Sequence, residues 1–277
     1  MGKKLKIICI IFLYFLHYSF KINKEMIKLY ETNKSYLEEL NDIKKLKKVV
    51  YTALLGNYDN VHSIHKEKGY DYFMFTDKNL TNKSDLNWTI LKIKKINKEH
   101  KDSNISIRKR QRFYKTHPHL FFKDYNLSIY VDSTFEIKGK LDEFLLRILT
   151  PKKSIYVLEH PDTNSINNEF KAVLQSFKEI NKTITYIKNK YNKENFPDNN
   201  GLAECCLIVR KHNEINSIKF MDRWFKEIKQ NSHRDQLSFN YILWKNMNKD
   251  VKYISKKMIL KYFNQKPHLI IFKMKDL

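Results

Sequence analysis

Three short segments hold residues whose types and spacing could do chemistry. The first is LSIYVD, Leu127 to Asp132, a run free of charge until it ends in a carboxylate. A carboxylate at the tip of a buried strand can hold a divalent cation, which neutralises a diphosphate and acts as Lewis acid and template. Asp132 equally fits a turn-forming or helix-capping acid. The second is RKRQRFYKTHPH, in which Arg108, Arg112 and Lys115 stand four and three residues apart and share one helix face. Beside a strand-end carboxylate, three such cations suit a diphosphate, gripped by charge-assisted and, for Arg, bidentate hydrogen bonds. Alone, a charge run of this kind is a solvated face. The third is NSHRDQLSFNYILW, where Asp235 follows Ser232 at capping-box spacing. Asp235 is then a structural acid at position N3 of the helix, or it and Gln236 are presented from the helix N-terminus to a reacting centre.

Other familiar chemistries lack their motifs. The chain has no G-x-G-x-x-G, no P-loop, no H-E-x-x-H, no C-x-x-C and no G-x-S-x-G. Cys205 and Cys206 are adjacent and Cys9 lies in an apolar run, so the three cysteines outline no metal site.

The elements that must position these residues alternate along the chain. VVYTALL, Val49 to Leu55, is nearly all apolar and ends at Gly56, as expected for a strand buried on both faces. Tyr70 to Asp77 and Trp88 to Ile93 predict two more strands, and Leu127 to Asp132 a fourth. Ile105 to Phe113 has helical spacing, and Pro118 must end or kink that helix. Ile166, Phe170, Val173, Leu174 and Phe177 mark one face of another helix. A strand CCLIVR and helices around Met221 to Ile228 and Leu237 to Trp244 complete the pattern. It predicts an α/β fold with a single, mainly parallel mixed sheet flanked by helices. Ligands of such sheets bind beyond the carboxyl ends of the strands, which directs attention to Thr52 to Asp59, Thr76, Asp77 and Asp132 to Thr134.

Composition bounds the rest. The 277 residues suffice for a real core, and 42% hydrophobic with 14% aromatic residues excludes a disordered chain. Lys and Arg number 53 against 30 Asp and Glu, a formal charge of +23. Of these cations 46 are Lys and only 7 Arg, alongside 27 Asn and 30 Ile, so a coding bias toward Lys, Asn and Ile accounts for much of the excess. No block of five or six consecutive cations occurs, which argues against specific nucleic-acid recognition.

Residues 1–20 read as a hydrophobic signal or anchor segment, because Ile7 to Phe20 carries no charge. Its fourteen residues match a signal-peptide core and fall short of the roughly 20 that span a bilayer, so a helix anchor must tilt or thin its membrane. An uncleaved single-pass anchor, a cleaved signal and a buried element of the domain are the three readings. Residues 21–47 read as a stem or linker helix, and residues 48–277 as the catalytic domain.

The order of VVYTALLGNYD, YFMFTD, W-x-I, R-x-x-x-R-x-x-K-x-x-P-H-x-x-F, SIYVDS, EHP, GLAE, IVRKHN, W-x-x-E-I and S-x-R-D-Q-L-S-F resembles a known family. It is the glycosyltransferase-like domain once catalogued only as of unknown function, with mucilage-related plant Golgi members of the TOD/MUCI type. The resemblance spans about Lys48 to Leu243 and implies an A-type nucleotide-diphosphosugar transferase fold. Carried over, Thr52, Gly56, Tyr58 and Asp59 would line the nucleotide pocket, with Asp77 near the base or ribose. Arg108, Arg112 and Lys115 would face the diphosphate, and His119 would brace their helix. Asp132 would stand for the metal-binding carboxylate of the D-x-D motif, from which this chain departs because residue 134 is Thr. His160, Glu204, Arg210, Arg234, Asp235 and Gln236 would form the acceptor and reaction side. A second departure is Asp162 to Ser165, where the family has an Arg. His268 would be a second metal ligand by analogy with other A-type enzymes.

The resemblance implies transfer of a sugar, a hexose or a relative, from a nucleotide-diphosphate donor to a glycan or other hydroxyl acceptor, with a divalent Mn or Mg ion at Asp132. The alternatives are a non-catalytic protein binding polyanions through its overall charge, and a nucleotidyl- or phosphotransferase on the same fold. Location follows from donor supply. An anchored domain would lie in a Golgi-type lumen in a eukaryote and on the cytoplasmic face of the membrane in a bacterium.

Overall fold

Nearly uncharged runs become the central strands because a strand covered by helices on both faces must be apolar on both. The computed structural model describes residues 21, 24–26, 28, 31, 32, 34–56, 62–80, 86–94 and 106–266. The hydrophobic segment 7–20, Tyr58, Asp59 and His268 lie outside the described residues. Two units divide the chain, Met1–Lys45 and Leu46–Leu277. In the first, residues 34–45 are helical. Among the described residues no helix is long and apolar enough to cross a membrane.

The second unit is built on a seven-stranded sheet. Its strands are β1 (Lys48–Leu54), β2 (Tyr70–Thr76), β3 (Thr89–Lys92), β4 (Leu127–Val131), β6 (Ile155–Glu159), β7 (Ala203–Arg210) and β8 (Val251–Ile254), in the order β3-β2-β1-β4-β7-β6-β8. Six run one way, and β7 alone is antiparallel to both of its neighbours. The sheet is therefore mixed and mainly parallel, as the alternating pattern predicts. A second sheet pairs β5 (Phe135–Ile137) with β9 (Phe263–Gln265). The chain leaves β1 toward β2 on one side and returns to β4 on the other, so the switch point lies between β1 and β4.

The helices are α1 (Ile107–Thr116), α2 (Leu141–Ile148), α3 (Ile166–Gln175), α4 (Asn181–Lys193), α5 (Ile215–Gln230), α6 (Gln236–Lys245) and the short α7 (Lys256–Ile259). One sheet face carries Tyr51, Ala53, Phe75, Tyr130, Val157 and Ile208 into a core shared with Phe170, Tyr191, Trp224 and Phe239 of α3 to α6. Alternate residues of β1, Val50, Thr52 and Leu54, point to the opposite face. On that side Phe144 of α2 packs its ring against Tyr262 and Phe263.

Local chemistry sets the helix ends. Ser106 caps α1 by accepting from the Lys109 amide, and the helix stops at His117, one residue before Pro118. The helix thus starts and ends slightly later than the spacing from Ile105 to Phe113 implies. Ser165 caps α3, and its hydroxyl is itself held by Asp198. Phe177, which the periodicity places on the buried face of that helix, is 59% exposed, because α3 ends at Gln175 and Phe177 turns into the left-handed region at φ 53°.

Candidate active site

The three segments that drew attention in the sequence converge. Helix α1 crosses the sheet face beside β1, tied to it by Gln111, whose side-chain amide donates to the Ala53 carbonyl at 2.6 Å. Arg108, Arg112 and Lys115 all turn to the loop that leads into α6. Lys115 Nζ lies 2.6 Å from Asp235 Oδ2, and Arg112 Nε lies 3.1 Å from the same oxygen. Arg108 Nη1 donates to His233 Nε2 at 3.1 Å. The shared helix face is as predicted, but its cations are already committed. The side chain of Lys115 is 1% exposed, so it is part of the interior and not an open clamp.

Asp235 is the hub. Its side chain caps α6 by accepting from the Gln236 amide at 3.0 Å, and the buried Trp224 indole donates to its carbonyl at 3.1 Å. It is the cap itself, not a capping-box acid three residues in. Ser232 instead accepts from the Arg234 amide and donates to Glu179. Burial pushes the Asp235 carboxyl up, but Arg112 and Lys115 outweigh it and hold the group well below the usual carboxylate range. Oδ2 is thus shared between two cations. A carboxylate held this firmly ionised is a poor proton acceptor, so Asp235 serves as an anchor and positioning group.

Asp132 stands at the carboxyl end of β4, beside the switch point. Its backbone amide still pairs with Cys206 of β7, which fixes the position of the side chain. Tyr130, two residues earlier and on the same strand face, donates its hydroxyl to Asp132 Oδ1 at 2.7 Å. Burial and then the Asp132 charge push the Tyr130 phenol well up, so it remains a donor. Lys115 Nζ stands 3.8 Å from the same Oδ1 and 4.9 Å from the Tyr130 ring centroid. With 27% of its side chain exposed, Asp132 is the member of this cluster that reaches solvent. Cys205 and Cys206 lie beneath, their thiols pushed well up by burial.

The other expected residues fall into two sets. Gly56 ends β1 at the site, and its amide donates to Asp77 Oδ1 at 2.9 Å, so Asp77 braces the turn that faces the crevice. Glu204 opens β7 on the same edge, its Oε2 3.3 Å from Lys256 Nζ. His160 follows β6 there, and its amide donates to the Leu202 carbonyl. Gln236 and Arg234 flank Asp235. Two expectations are corrected. Thr52 is fully buried within the sheet with its hydroxyl unpartnered, so it cannot line an open pocket. Arg210 pairs in register with Ser128, at the opposite end of β4 from Asp132, where it is fully buried and donates to the Tyr51 hydroxyl. His119 packs its ring beside His117 just beyond the end of α1, in the field of Arg210.

Among the described residues no group of three His, Cys, Asp or Glu side chains could enclose a metal. An open cleft of about 490 Å³, lined in part by Tyr125, Asn126, Lys211 and Asn213, lies at the amino ends of β1 and β4. Without a strand-end carboxylate, and at the wrong edge of the sheet, it is not the active-site candidate.

The fold and site define an α/β protein with a cluster of charged side chains beside a topological switch point. The chain belongs to the TOD1/MUCI70 glycosyltransferase-like domain family, whose model matches residues 24–268. No curated protein matches it. Among solved structures it is similar to the bifunctional glycosyltransferase WbbM in its apo form, at 14% identity and a TM-score of 0.47, over 76% of this chain and 39% of that one. It is also similar to the glycosyltransferase GlyE of Streptococcus pneumoniae TIGR4, at 10% identity and a TM-score of 0.40, over 76% of this chain and 45% of that one. The chain spans less than half the length of either.

Proposed function

We propose that this protein transfers a sugar, a hexose or a close relative, from a nucleotide-diphosphate donor to the hydroxyl of a glycan or similar acceptor. The observation that supports this most is Asp132, partly exposed at the end of β4 beside the β1/β4 switch point, in a chain of a glycosyltransferase-like family. The nucleotide would lie beyond the ends of β1 and β2, over Gly56 and Asp77.

The charge balance favours a divalent cation. Arg112 and Lys115 are matched by Asp235 and Asp132, so the charge of these two cations is already balanced before a diphosphate arrives. One carboxylate plus substrate phosphates is a common way of holding Mg or Mn. Asp132 fits that role, since Tyr130 and Lys115 occupy only Oδ1. When bound, such an ion supplies Lewis-acid stabilisation of the leaving diphosphate. The protein's part is positional. Lys115 and Tyr130 orient Asp132, and Asp235 fixes Lys115 and Arg112. Glu204, at the start of β7 next to β4, would face an entering acceptor hydroxyl. The location proposed is a Golgi-type lumen in a eukaryotic source and the cytoplasm in a bacterial one.

Isothermal titration of the full chain with a panel of nucleotide sugars, with and without Mn, tests the reading. Binding of one donor, strengthened by Mn and abolished in Asp132→Ala, is expected. Binding of none of them would overturn it.

A further inference from the structure

Arg210 is a cation kept in the core without an acid. It is fully buried, and among the described residues it makes no ion pair within 4.0 Å. Its donors go to two neutral groups. Nη2 donates to the Tyr51 hydroxyl, and Nη1 to Met221 Sδ at 3.3 Å. Burial pushes the guanidinium down, and the Tyr51 and Tyr130 phenols are the groups that oppose it. Taking a charge out of water is expensive, so stability alone does not call for an Arg here. What the charge does provide is direction.

A phenol oxygen can accept or donate, whereas a guanidinium only donates. With Arg210 donating to it, the Tyr51 hydroxyl accepts there and turns its own hydrogen to the Lys115 carbonyl, 2.7 Å away. That carbonyl lies in the last turn of α1, where no amide of the helix is left to take it. Burial pushes the Tyr51 phenol up to about 12 against the pull of Arg210, so the donor persists at neutral pH. The same Lys115 places Nζ 2.6 Å from Asp235 Oδ2 and 3.8 Å from Asp132 Oδ1. A second contact runs through the rings. Tyr51 and Tyr130 are register partners on β1 and β4 with ring centroids 5.2 Å apart, and Tyr130 donates to Asp132. Tyr51 therefore touches both groups that hold Asp132.

We propose that Tyr51 and Arg210 are positioning residues for the transfer site, which together pin the end of α1 so that Lys115 meets Asp132 and Asp235 at once. The link to transfer rests on the glycosyl-transfer reading above.

The test uses the full chain. Urea denaturation of the parent, Tyr51→Phe, Asp235→Asn and the double variant reads the pin, and titration with UDP and with GDP, each with Mn, reads its consequence. Tyr51 bonds the carbonyl of Lys115 and Asp235 pairs with its amine, so the two losses should be non-additive, by about threefold or more in the folding constant. Should Asp235→Asn not fold, Asp132→Ala takes its place in the cycle, since Lys115 faces both acids. Tyr51→Phe and Arg210→Met should each weaken Mn-dependent nucleotide binding by about tenfold, within the range that an ångström of misplacement costs. Arg210→Lys, which keeps a charged donor, should stay closer to the parent. A hydroxyl that serves folding alone would give additive losses, and that result overturns the assignment. Unchanged affinity in Tyr51→Phe, in a chain that binds UDP or GDP, overturns it while the transfer reading stands. Non-additive losses in a chain that binds no nucleotide or nucleotide sugar support the pin on Lys115 while the transfer reading fails.

Discussion

Lys115 places its ammonium 2.6 Å from Asp235 Oδ2 and 3.8 Å from Asp132 Oδ1, bridging the acid that caps α6 and the acid that ends β4. One buried cation thus sets the spacing of two elements that lie more than a hundred residues apart. Arg112 meets the same Asp235 oxygen and the Trp224 indole donates to the Asp235 backbone carbonyl, so the hub is fixed from α1, α5 and α6 together.

The pair should behave as a buried ion pair, whose halves cost more to remove singly than together. Lys115→Met and Asp235→Asn are each expected to lower stability by about 3–5 kcal/mol, because each strands a charge in the interior. The double variant should recover part of that loss, with a coupling on the order of 1 kcal/mol or more. Urea denaturation of all four proteins completes the cycle. Additive losses would show that the two side chains act independently.

Asp132 should separate activity from stability. It reaches solvent and gives up one hydrogen bond from Tyr130, so Asp132→Ala should cost about 1 kcal/mol. Transfer activity should fall by about 100-fold or more, the scale of losing one preorganised electrostatic contact at a reacting group. Melting curves and donor turnover on the same preparation check both halves. An unfolded variant, or one with full turnover, contradicts the role.

Gly56 is constrained by conformation and by space. Its φ is +67°, and a Cβ there would stand 3.0 Å from Ile107 Cδ1 at the start of α1. Gly56→Ala should therefore destabilise by about 1–2 kcal/mol from the left-handed backbone alone. It should also weaken donor binding, because the same turn donates its amide to Asp77. Denaturation and titration with the bound donor read the two effects separately.

Much of this was visible in the sequence, for physical reasons that also mark its limits. The runs that became β1, β2, β4 and β7 are apolar because both faces are covered, and the 108, 112, 115 spacing placed three cations on one helix face. What those cations touch was not legible. Asp235 lies over a hundred residues away and no periodicity links it to Lys115, so the cluster looked like an empty clamp when it is an internal ion pair. Tyr130 was within reach of sequence reasoning, since strand alternation puts it on the face of Asp132. Glu179 and Glu169 gave no signal, because only the fold brings them to His233 and His160. Arg210 misled because it adjoins a family-like segment, whereas the antiparallel course of β7 carries it to the far edge of the sheet.

The loop before α6 should carry a pH signature through Glu179. Arg108 Nη1 donates to His233 Nε2, which leaves the neutral ring's proton on Nδ1, 3.4 Å from Glu179 Oε2. Ser232 donates to the same oxygen at 2.5 Å. Burial pushes the Glu179 carboxyl up, but His233, Ser232 and the Ile180 amide outweigh it, leaving the value lowered from 4.5 to about 2. A carboxyl whose value is depressed on folding contributes stability that is complete above the unfolded value and is lost as pH falls through the folded one. Glu179→Gln should therefore be less stable than the parent at neutral pH, with the difference shrinking between pH 4.5 and about 2. Asp235 titrates lower still in both proteins and cancels in the comparison. Urea midpoints taken across that range decide the matter. A difference between the two proteins that stays constant with pH means the Glu179 charge does not hold the loop.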